Sequence, residues 1–254
     1  MSRRTLVVIP TYNELESIPG ALERLAQHVP DAHILVVDDG SPDGTGALVE
    51  KIAADDTAPR EIHVMHRSGK LGLGTAYVAG FRWALERDYE VICEMDADGS
   101  HRAQDLPLLL AAVVDADLVL GSRWVPGGSV VNWPKNREIL SRGANTFTRI
   151  MLGIPLHDAT GGFRAYRADL LRRIPLGEVQ SQGYGFQVDM SWRAVRAGAR
   201  TVEIPITFVE RAVGASKMSR AIVVEALVSV TRWGIAERSR QVAGAFRRIM
   251  RRPA

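Results

Sequence analysis

Through the first half of the chain, short runs of consecutive apolar residues alternate with segments in which apolar residues recur every three or four positions. The runs TLVVIP (5–10), HILVVDD (33–39), EIHVMH (61–66), EVICEMD (90–96) and ADLVLGS (116–122) read as strands. Helical patterns lie between them. Leu15, Ile18, Leu22 and Leu25 share one face, GTGALVEKIAA forms a second helix, residues 74–87 a third and DLPLLLAAVV a fourth. Strands that are apolar on both faces and separated by helices predict a parallel sheet covered on both sides, an α/β fold. Beyond residue 122 the pattern changes. A glycine-rich loop, VPGGSVVNWP, leads into a helix over 135–152 in which Leu140, Ala144, Phe147 and Met151 follow a helical period. Lys135, Arg142 and Arg149, spaced by seven, form a separate basic stripe. Such a stripe is either a solvated face or a surface that meets phosphates or anionic lipid.

In parallel sheets, ligands bind beyond the carboxyl ends of the strands. The polar residues gather there: PTYNE after the first strand, DDGSPDG after the second, DADGSH after the fourth and GSRW after the fifth. Folding alone would accept any turn formers at those ends, and SPDG reads equally well as a plain turn. Asp96 and Asp98 leave the fourth strand two residues apart, and Gly99 frees the backbone to turn both carboxylates the same way. Paired carboxylates suit Mg²⁺ or Mn²⁺, hard ions that share oxygen ligands with substrate phosphates. Without their neighbours the two acids are a weak motif and read more readily as turn formers or helix caps. The neighbours add Glu14 and Asp39, acceptors for a base or ribose, and Arg123, whose planar fork suits phosphate. Arg211 and Lys217 lie in the glycine-containing stretch ERAVGASKM, where cations can close over a charged ligand. A nucleoside diphosphate explains acids and cations on one rim.

The chain has 254 residues, 46% of them hydrophobic, enough for one domain with a full core or one domain plus an appendage. The formal charge is only +3, but arginines crowd the end of the chain from Arg232 onward. They lack interleaved aromatic residues and no nucleic-acid motif accompanies them, which argues against a nucleic-acid partner. Cys93 is the single cysteine, so no intrachain disulfide forms and a reducing compartment fits. The N-terminal apolar run ends at Pro10, too short for a signal-peptide core. AIVVEALVSV, from Ala221, contains Glu225 and falls short of the roughly 20 residues that span a bilayer.

The ordered set IPTYNE, VVDDGSPDGT, GKLGLGTAY, MDADGSH, GSRW, SRGAN, TGGFRAYR, GYGFQVDM and FVERAVGASKM covers residues 6 to about 218. In this set the chain resembles the large inverting glycosyltransferase family 2 and, within it, the dolichyl- and polyprenyl-phosphate mannose synthases. The resemblance implies a Rossmann-like nucleotide-diphospho-sugar transferase (GT-A) fold with a mostly parallel central sheet over residues 1–218, followed by an amphipathic helix and basic tail over 219–254. It implies transfer of mannose from GDP-mannose to a polyprenyl phosphate with inversion, and a Mg²⁺ or Mn²⁺ cofactor. By the same resemblance, Pro10, Tyr12, Glu14, Val37 and Asp39 match nucleotide-binding positions. Asp96, Ala97 and Asp98 match the diphosphate and metal site, and Ser100 stands where some relatives carry a metal-binding glutamine. Arg123, Arg211 and Lys217 match phosphate contacts that, with Asp98, form the catalytic set, and Arg123, Arg137 and Ser141 match an acceptor-phosphate site. The family alternatives are glucose transfer from UDP-glucose and an inactive nucleotide-sugar-binding module.

A lipid acceptor requires a membrane surface, and the resemblance implies a peripheral position at its cytoplasmic face with a separate membrane-anchoring protein. In the C-terminal segment, Ile222, Val223, Ala226, Leu227 and Val230 can share one helix face, with Glu225, Ser229 and Arg232 on another and Trp233 following. This helix either lies on anionic lipid or packs on the domain.

Overall fold

The structure is a computed structural model and describes residues 3–55, 61–179, 181, 183–210 and 227–239. The strands are β1 (Thr5–Thr11), β2 (His33–Asp38), β3 (Ile62–His66), β4 (Val91–Glu94), β5 (Leu118–Ser122), β6 (Ser129–Val131), β7 (Arg164–Arg167), β8 (Thr201–Pro205) and β9 (Thr207–Val209). The helices are α1 (Ile18–His28), α2 (Thr45–Ala53), α3 (Leu73–Leu85), α4 (Leu106–Ala112), α5 (Lys135–Leu152), α6 (Ala168–Arg173) and α7 (Tyr184–Arg196), with α8 over residues 227–239.

Seven strands form one sheet in the order β3-β2-β1-β4-β7-β5-β8, and β6 pairs with β9 in a separate two-stranded ribbon. The five strands expected from the apolar runs are present. The sheet is mostly parallel, as expected, and the one strand that departs is β7, which runs antiparallel between β4 and β5. Its sequence, RAYR, has no apolar run to announce a strand, and only its place between two strands buries it. The α/β core alternates strictly. Leu6 and Val8 of β1 join one buried cluster, with α3, α6 and α7. Val7 and Ile9 join the other, with α1 and α4. Side chains of successive strand residues point to opposite faces, so an unbroken apolar run is what a strand covered on both sides requires.

Helix α1 begins at Ile18, which leaves Leu15 outside it and exposed, while Ile18, Leu22 and Leu25 are buried as expected. Helix α5 has the expected limits but not the expected face. Asn145, Thr148 and Leu152 point inward, Phe147 and Met151 only flank the core, and Leu140 is exposed. Polar residues face inward because Asn145 is tied to the loop at 158–160: its amide nitrogen donates to Thr160 Oγ1 at 3.0 Å. Helix α8 packs on the domain through Val230, which is buried, and Trp233, which stacks on Trp192 at 5.6 Å.

Successive strands β1 and β2 lie on one side of the β1–β4 boundary and β4 on the other, so strand order reverses between β1 and β4. A crevice opens at the carboxyl ends of the strands at such a reversal. PTYNE and DADGSH are the segments that leave these two strands.

Candidate active site

The wall contributed by β1 and β2 is one stitched unit. Thr11 Oγ1 donates to Asp38 Oδ1 at 3.0 Å, and Ser41 N–H donates to Asp38 Oδ2 at 3.0 Å. Three successive backbone N–H groups after β1 are held by the next loop: Asn13 by Ser41 Oγ, Glu14 by Thr45 Oγ1 and Leu15 by Asp43 Oδ2, at 3.0–3.1 Å. SPDG is therefore a structural turn that positions its neighbour. Pro10 and Val37 lie in the paired strands below this wall, with Val37 fully buried. Glu14 accepts from Ser17 Oγ at 2.7 Å. Tyr12 lies at the rim with the Lys70 ammonium 4.5 Å from its ring centre. Asp39 is buried, its carboxylate accepting from Arg67 at 2.6 Å and from the Leu71 N–H at 3.1 Å. Arg67 and Lys70 are cations at this wall that the sequence pattern did not single out.

The turn after β4 is held from within and from behind. Asp98 Oδ1 accepts from both Ser100 N–H (3.0 Å) and Ser100 Oγ (2.6 Å), and Ser100 is buried. Ser100 thus acts first on the Asp98 carboxylate. Gly99 has φ +77°, a left-handed conformation that costs most other residues energy, and Arg24 of α1 lies against it. Ala97 is buried, while Asp96 and Asp98 are only partly so. Asp96 accepts from the Tyr77 hydroxyl at 3.3 Å.

His101 has a defined place. Its ring is buried, stacks on Phe163 at 5.1 Å and meets the edge of Phe208. The backbone N–H of Asp96 donates to His101 Nδ1 at 3.1 Å, so Nδ1 accepts and the ring proton sits on Nε2. The ring closes the DADGSH turn on itself.

Beneath the turn lies a buried polar network that the apolar pattern of β4 concealed. Glu94 is fully buried and accepts from the Tyr166 hydroxyl at 2.9 Å and from Gln187 Nε2 at 2.8 Å. Arg164 donates to Tyr166 at 3.2 Å and to the carbonyls of Ala159 and Gly161 at 2.8 Å. Burial pushes the Glu94 carboxyl up to about 7, against the pull of Arg164 and the two hydrogen bonds. Arg164 and Gln187 stand inside TGGFRAYR and GYGFQVDM, so the sequence marked the segments without assigning these roles.

Two strands beyond β4, Arg123 follows directly on β5. Its guanidinium is buried and bonds both oxygens of Asp158, Nε to Oδ2 at 2.7 Å and Nη2 to Oδ1 at 2.6 Å, while Nη2 also reaches Thr160 at 2.9 Å. Arg123 lies 5.3 Å from the Trp124 ring centre and 5.4 Å from that of Trp133. Arg142 covers Trp124 at 4.2 Å and Arg137 covers Trp133 at 4.1 Å. Three guanidinium groups and two indoles thus form a ladder, with favourable cation–π contacts along it. The indole N–H groups of Trp124 and Trp133 are buried and have no hydrogen-bond partner among the described residues. Ser141 lies one turn from Arg137 on α5.

Arg137 also pairs with Glu210, which follows β9, and Val209 N–H donates to the Ser100 carbonyl at 3.2 Å. The β6–β9 ribbon therefore links the acidic turn to the arginine ladder. Arg211 and Lys217 lie outside the described residues, as do Ile222, Val223 and Ala226. The fold thus gathers Tyr12, Glu14, Asp39, Asp96, Asp98 and Arg123 at one end of the sheet, with Arg137 and Ser141 carried to the Arg123 side by α5.

A family model described as glycosyl transferase family 2 matches residues 6–174. An undecaprenyl-phosphate mannosyltransferase of Micrococcus luteus is 59% identical over 235 residues, 92% of this chain and 96% of that protein. The chain belongs to glycosyl transferase family 2, among the polyprenyl-phosphate mannosyltransferases. A polyprenol monophosphomannose synthase of Mycolicibacterium smegmatis is 53% identical over 247 residues, 97% of this chain and 92% of that protein. Among solved structures, a mannosyltransferase from Pyrobaculum calidifontis in complex with GDP-mannose and Mn²⁺ superposes with a TM-score of 0.61 at 20% identity, covering 94% of this chain and 65% of that one. A glucosyl-3-phosphoglycerate synthase from Mycobacterium tuberculosis, solved with Mn²⁺, UDP-glucose and phosphoglyceric acid, gives 0.63 at 19%, covering 90% and 80%. These structures establish the GT-A fold for this glycosyltransferase. No helix among its described residues is long and apolar enough to cross a membrane.

Proposed function

We propose that this mannosyltransferase takes its sugar from GDP-mannose and passes it, with inversion, to the phosphate of a polyprenyl phosphate. The observation that carries the reading is an acidic turn and an arginine–tryptophan ladder brought to the same end of the sheet and linked through the β6–β9 ribbon. At the turn Asp96 and Asp98 offer an oxygen-only donor set, half-exposed and held by Ser100, His101 and Tyr77. That chemistry fits Mg²⁺ or Mn²⁺, and such an ion would supply Lewis-acid charge at the departing diphosphate. The wall built by Tyr12, Glu14 and Asp39 borders the same turn and suits a nucleoside. At the ladder Arg123, Arg137 and Ser141, with the two unpartnered indole N–H groups, suit an acceptor phosphate.

A phosphate monoester with a second pKa of about 6 is already largely ionised near neutral pH. It needs no carboxylate base to attack the anomeric carbon, so these residues contribute by aligning the acceptor with the donor and by balancing charge. Arg123, locked by Asp158, is rigid and pre-oriented for that work. Arg211 follows directly on Glu210 in the chain, and with Lys217 further along the same segment it completes the phosphate-binding set in this reading.

The test is radiolabelled sugar transfer to a short-chain polyprenyl phosphate, with GDP-mannose and UDP-glucose compared, in Mg²⁺, Mn²⁺ or EDTA. Metal-dependent transfer from GDP-mannose is the expected result, and Asp98→Asn, which keeps an acceptor for Ser100, should lower it by about 10²–10³-fold. Transfer from UDP-glucose alone would overturn the donor, and near-normal turnover in Asp98→Asn would overturn the metal assignment.

A further inference from the structure

At the end of the sheet remote from the crevice, three metal-ligating side chains share one face. Strand β3 is an edge strand and pairs in parallel with β2, Ile34 beside Ile62 and Leu35 beside His63. The Ile34 N–H donates to the Glu61 carbonyl at 3.0 Å, which holds Glu61 in register just ahead of β3. Successive strand residues point to opposite faces. Ile34, Ile62 and Val64 join the cluster of α1 and α4, whereas Leu35 and Met65 pack toward α3. His33, Glu61 and His63 are therefore all turned to the α3 face, with His33 beside Glu61 and His63 two positions further on. One donor atom from each lies within 4.8 Å of the other two. His33 Nδ1 and His63 Nε2 each stand 3.3 Å from Glu61 Oε2.

That spacing suits a shared ion better than direct hydrogen bonds. N–H···O bonds cluster at about 2.9–3.0 Å. His63 Nε2 is buried and has no hydrogen-bond partner among the described residues, although Glu61 is so near. Ligand atoms 2.0–2.1 Å from a tetrahedral ion stand about 3.3 Å apart, the distance found on both sides of Glu61. Aromatic rings hold the two imidazoles in place. His63 lies 4.8 Å from Trp83, His33 meets Tyr89 edge-on at 5.6 Å, and Trp83 stacks on Tyr89. The Tyr89 hydroxyl, 2.9 Å from His33 Nδ1, is the partner that an ion would displace. Burial outweighs the pull of Glu61 and holds the His63 imidazole below its usual 6.5, so near pH 7 it is neutral and has a lone pair to give. Two imidazoles and one carboxylate are the donor set of Zn²⁺ sites that keep a fourth position open to water, and they favour Zn²⁺ over Mg²⁺.

We propose that His33, Glu61 and His63 bind Zn²⁺ and that the ion clips the edge strand β3 to β2. An edge strand has a hydrogen-bonded neighbour on one side only, and a tie through side chains adds to that single ladder. The Glu61 side chain is 60% exposed, which leaves the ion a way in from solvent. The site is separate from the acidic turn. His33 opens β2 and Asp38 closes it at the crevice, and five steps of about 3.3 Å put roughly 17 Å between them. The proposal is independent of the donor and acceptor assigned above.

The experiment uses the full chain without an affinity tag, stripped of metal and then held in excess Mg²⁺ so that the acidic turn is filled. Calorimetric titration with Zn²⁺ should show one equivalent bound with micromolar affinity or tighter. His63→Gln and Glu61→Gln should each weaken binding by at least about tenfold, since even changes one shell beyond the ligands cost about 10–100-fold. His66→Gln, which removes the exposed His66–Glu50 pair at the other end of β3, should leave it unchanged. Co²⁺ in place of Zn²⁺ should give the visible absorption of a tetrahedral ion in the parent and lose it in His63→Gln. Zn²⁺ should slow amide hydrogen exchange in β3 of the parent and not of Glu61→Gln. Sugar transfer should stay within about twofold in all three variants. Absence of stoichiometric Zn²⁺ binding, equal binding by His63→Gln and Glu61→Gln, or binding lost instead in Asp98→Asn would each overturn the site. Unchanged exchange in β3 with Zn²⁺ bound would overturn the clip.

Discussion

Removing the Asp158 carboxylate strands a buried guanidinium. Arg123 and Asp158 are both buried, and three hydrogen bonds run from Arg123 to this one carboxylate, from Nε, Nη2 and the backbone N–H. Breaking such a pair from one side costs about 3–5 kcal/mol, because the remaining charge is left in a low-dielectric site. Asp158→Ala and Arg123→Met should each lower the unfolding free energy by about that amount. Arg123→Met/Asp158→Ala, which removes both charges, should lose less than either single change, giving a coupling energy of about 3 kcal/mol. Urea unfolding followed by tryptophan fluorescence measures it, since Trp124 and Trp133 flank the pair. Burial by itself would raise the Asp158 pKa; the Arg123 charge and hydrogen bonds outweigh it and hold the carboxyl below its usual 3.8. The stabilisation is therefore fully present above pH 3.8 and is lost as pH falls through the lower folded value. Additive single changes, or losses below about 1 kcal/mol, would refute the claim that this pair locks Arg123 in place.

Glu94 should give the opposite pH signature. Between its ordinary 4.5 and about 7 the folded protein keeps a proton that the unfolded chain releases, so stability should fall by about 3 kcal/mol as pH rises through that window. Glu94→Gln should flatten the profile, because Gln187 Oε1, buried without a partner, can accept from the new amide once Gln187 turns over; chemical denaturation from pH 5 to 8 in EDTA compares the two, and parallel curves would reject the assignment. Gly80→Ala should destabilise by about 1–3 kcal/mol, since a Cβ there would sit 2.5 Å from Val8 Cγ1 where α3 crosses β1. Thermal unfolding tests it, and an unchanged midpoint would mean that α3 can lift from the sheet at no cost.

The sequence by itself determined the α/β class, the five apolar strands and the limits of α5, because local periodicity follows from which faces must be covered. It also located the acids and arginines, since polar residues directly after apolar strands have few other reasons to gather there. Only the tertiary structure decided what those residues touch. RAYR becomes a strand because β4 and β5 leave a gap between them, which no local pattern encodes. Arg123 reads as a lone cation after a strand until Asp158, 35 positions away, is brought against it and fixes its guanidinium. Glu94 reads as the polar end of an apolar run until Tyr166 and Gln187 close over it. The same holds for α5: its sequence offers apolar residues on more than one side, and the tie between Asn145 and Thr160 turns Ile139 and Ile150 outward. Pattern fixes which surfaces are apolar, but long-range contacts choose which of them is buried.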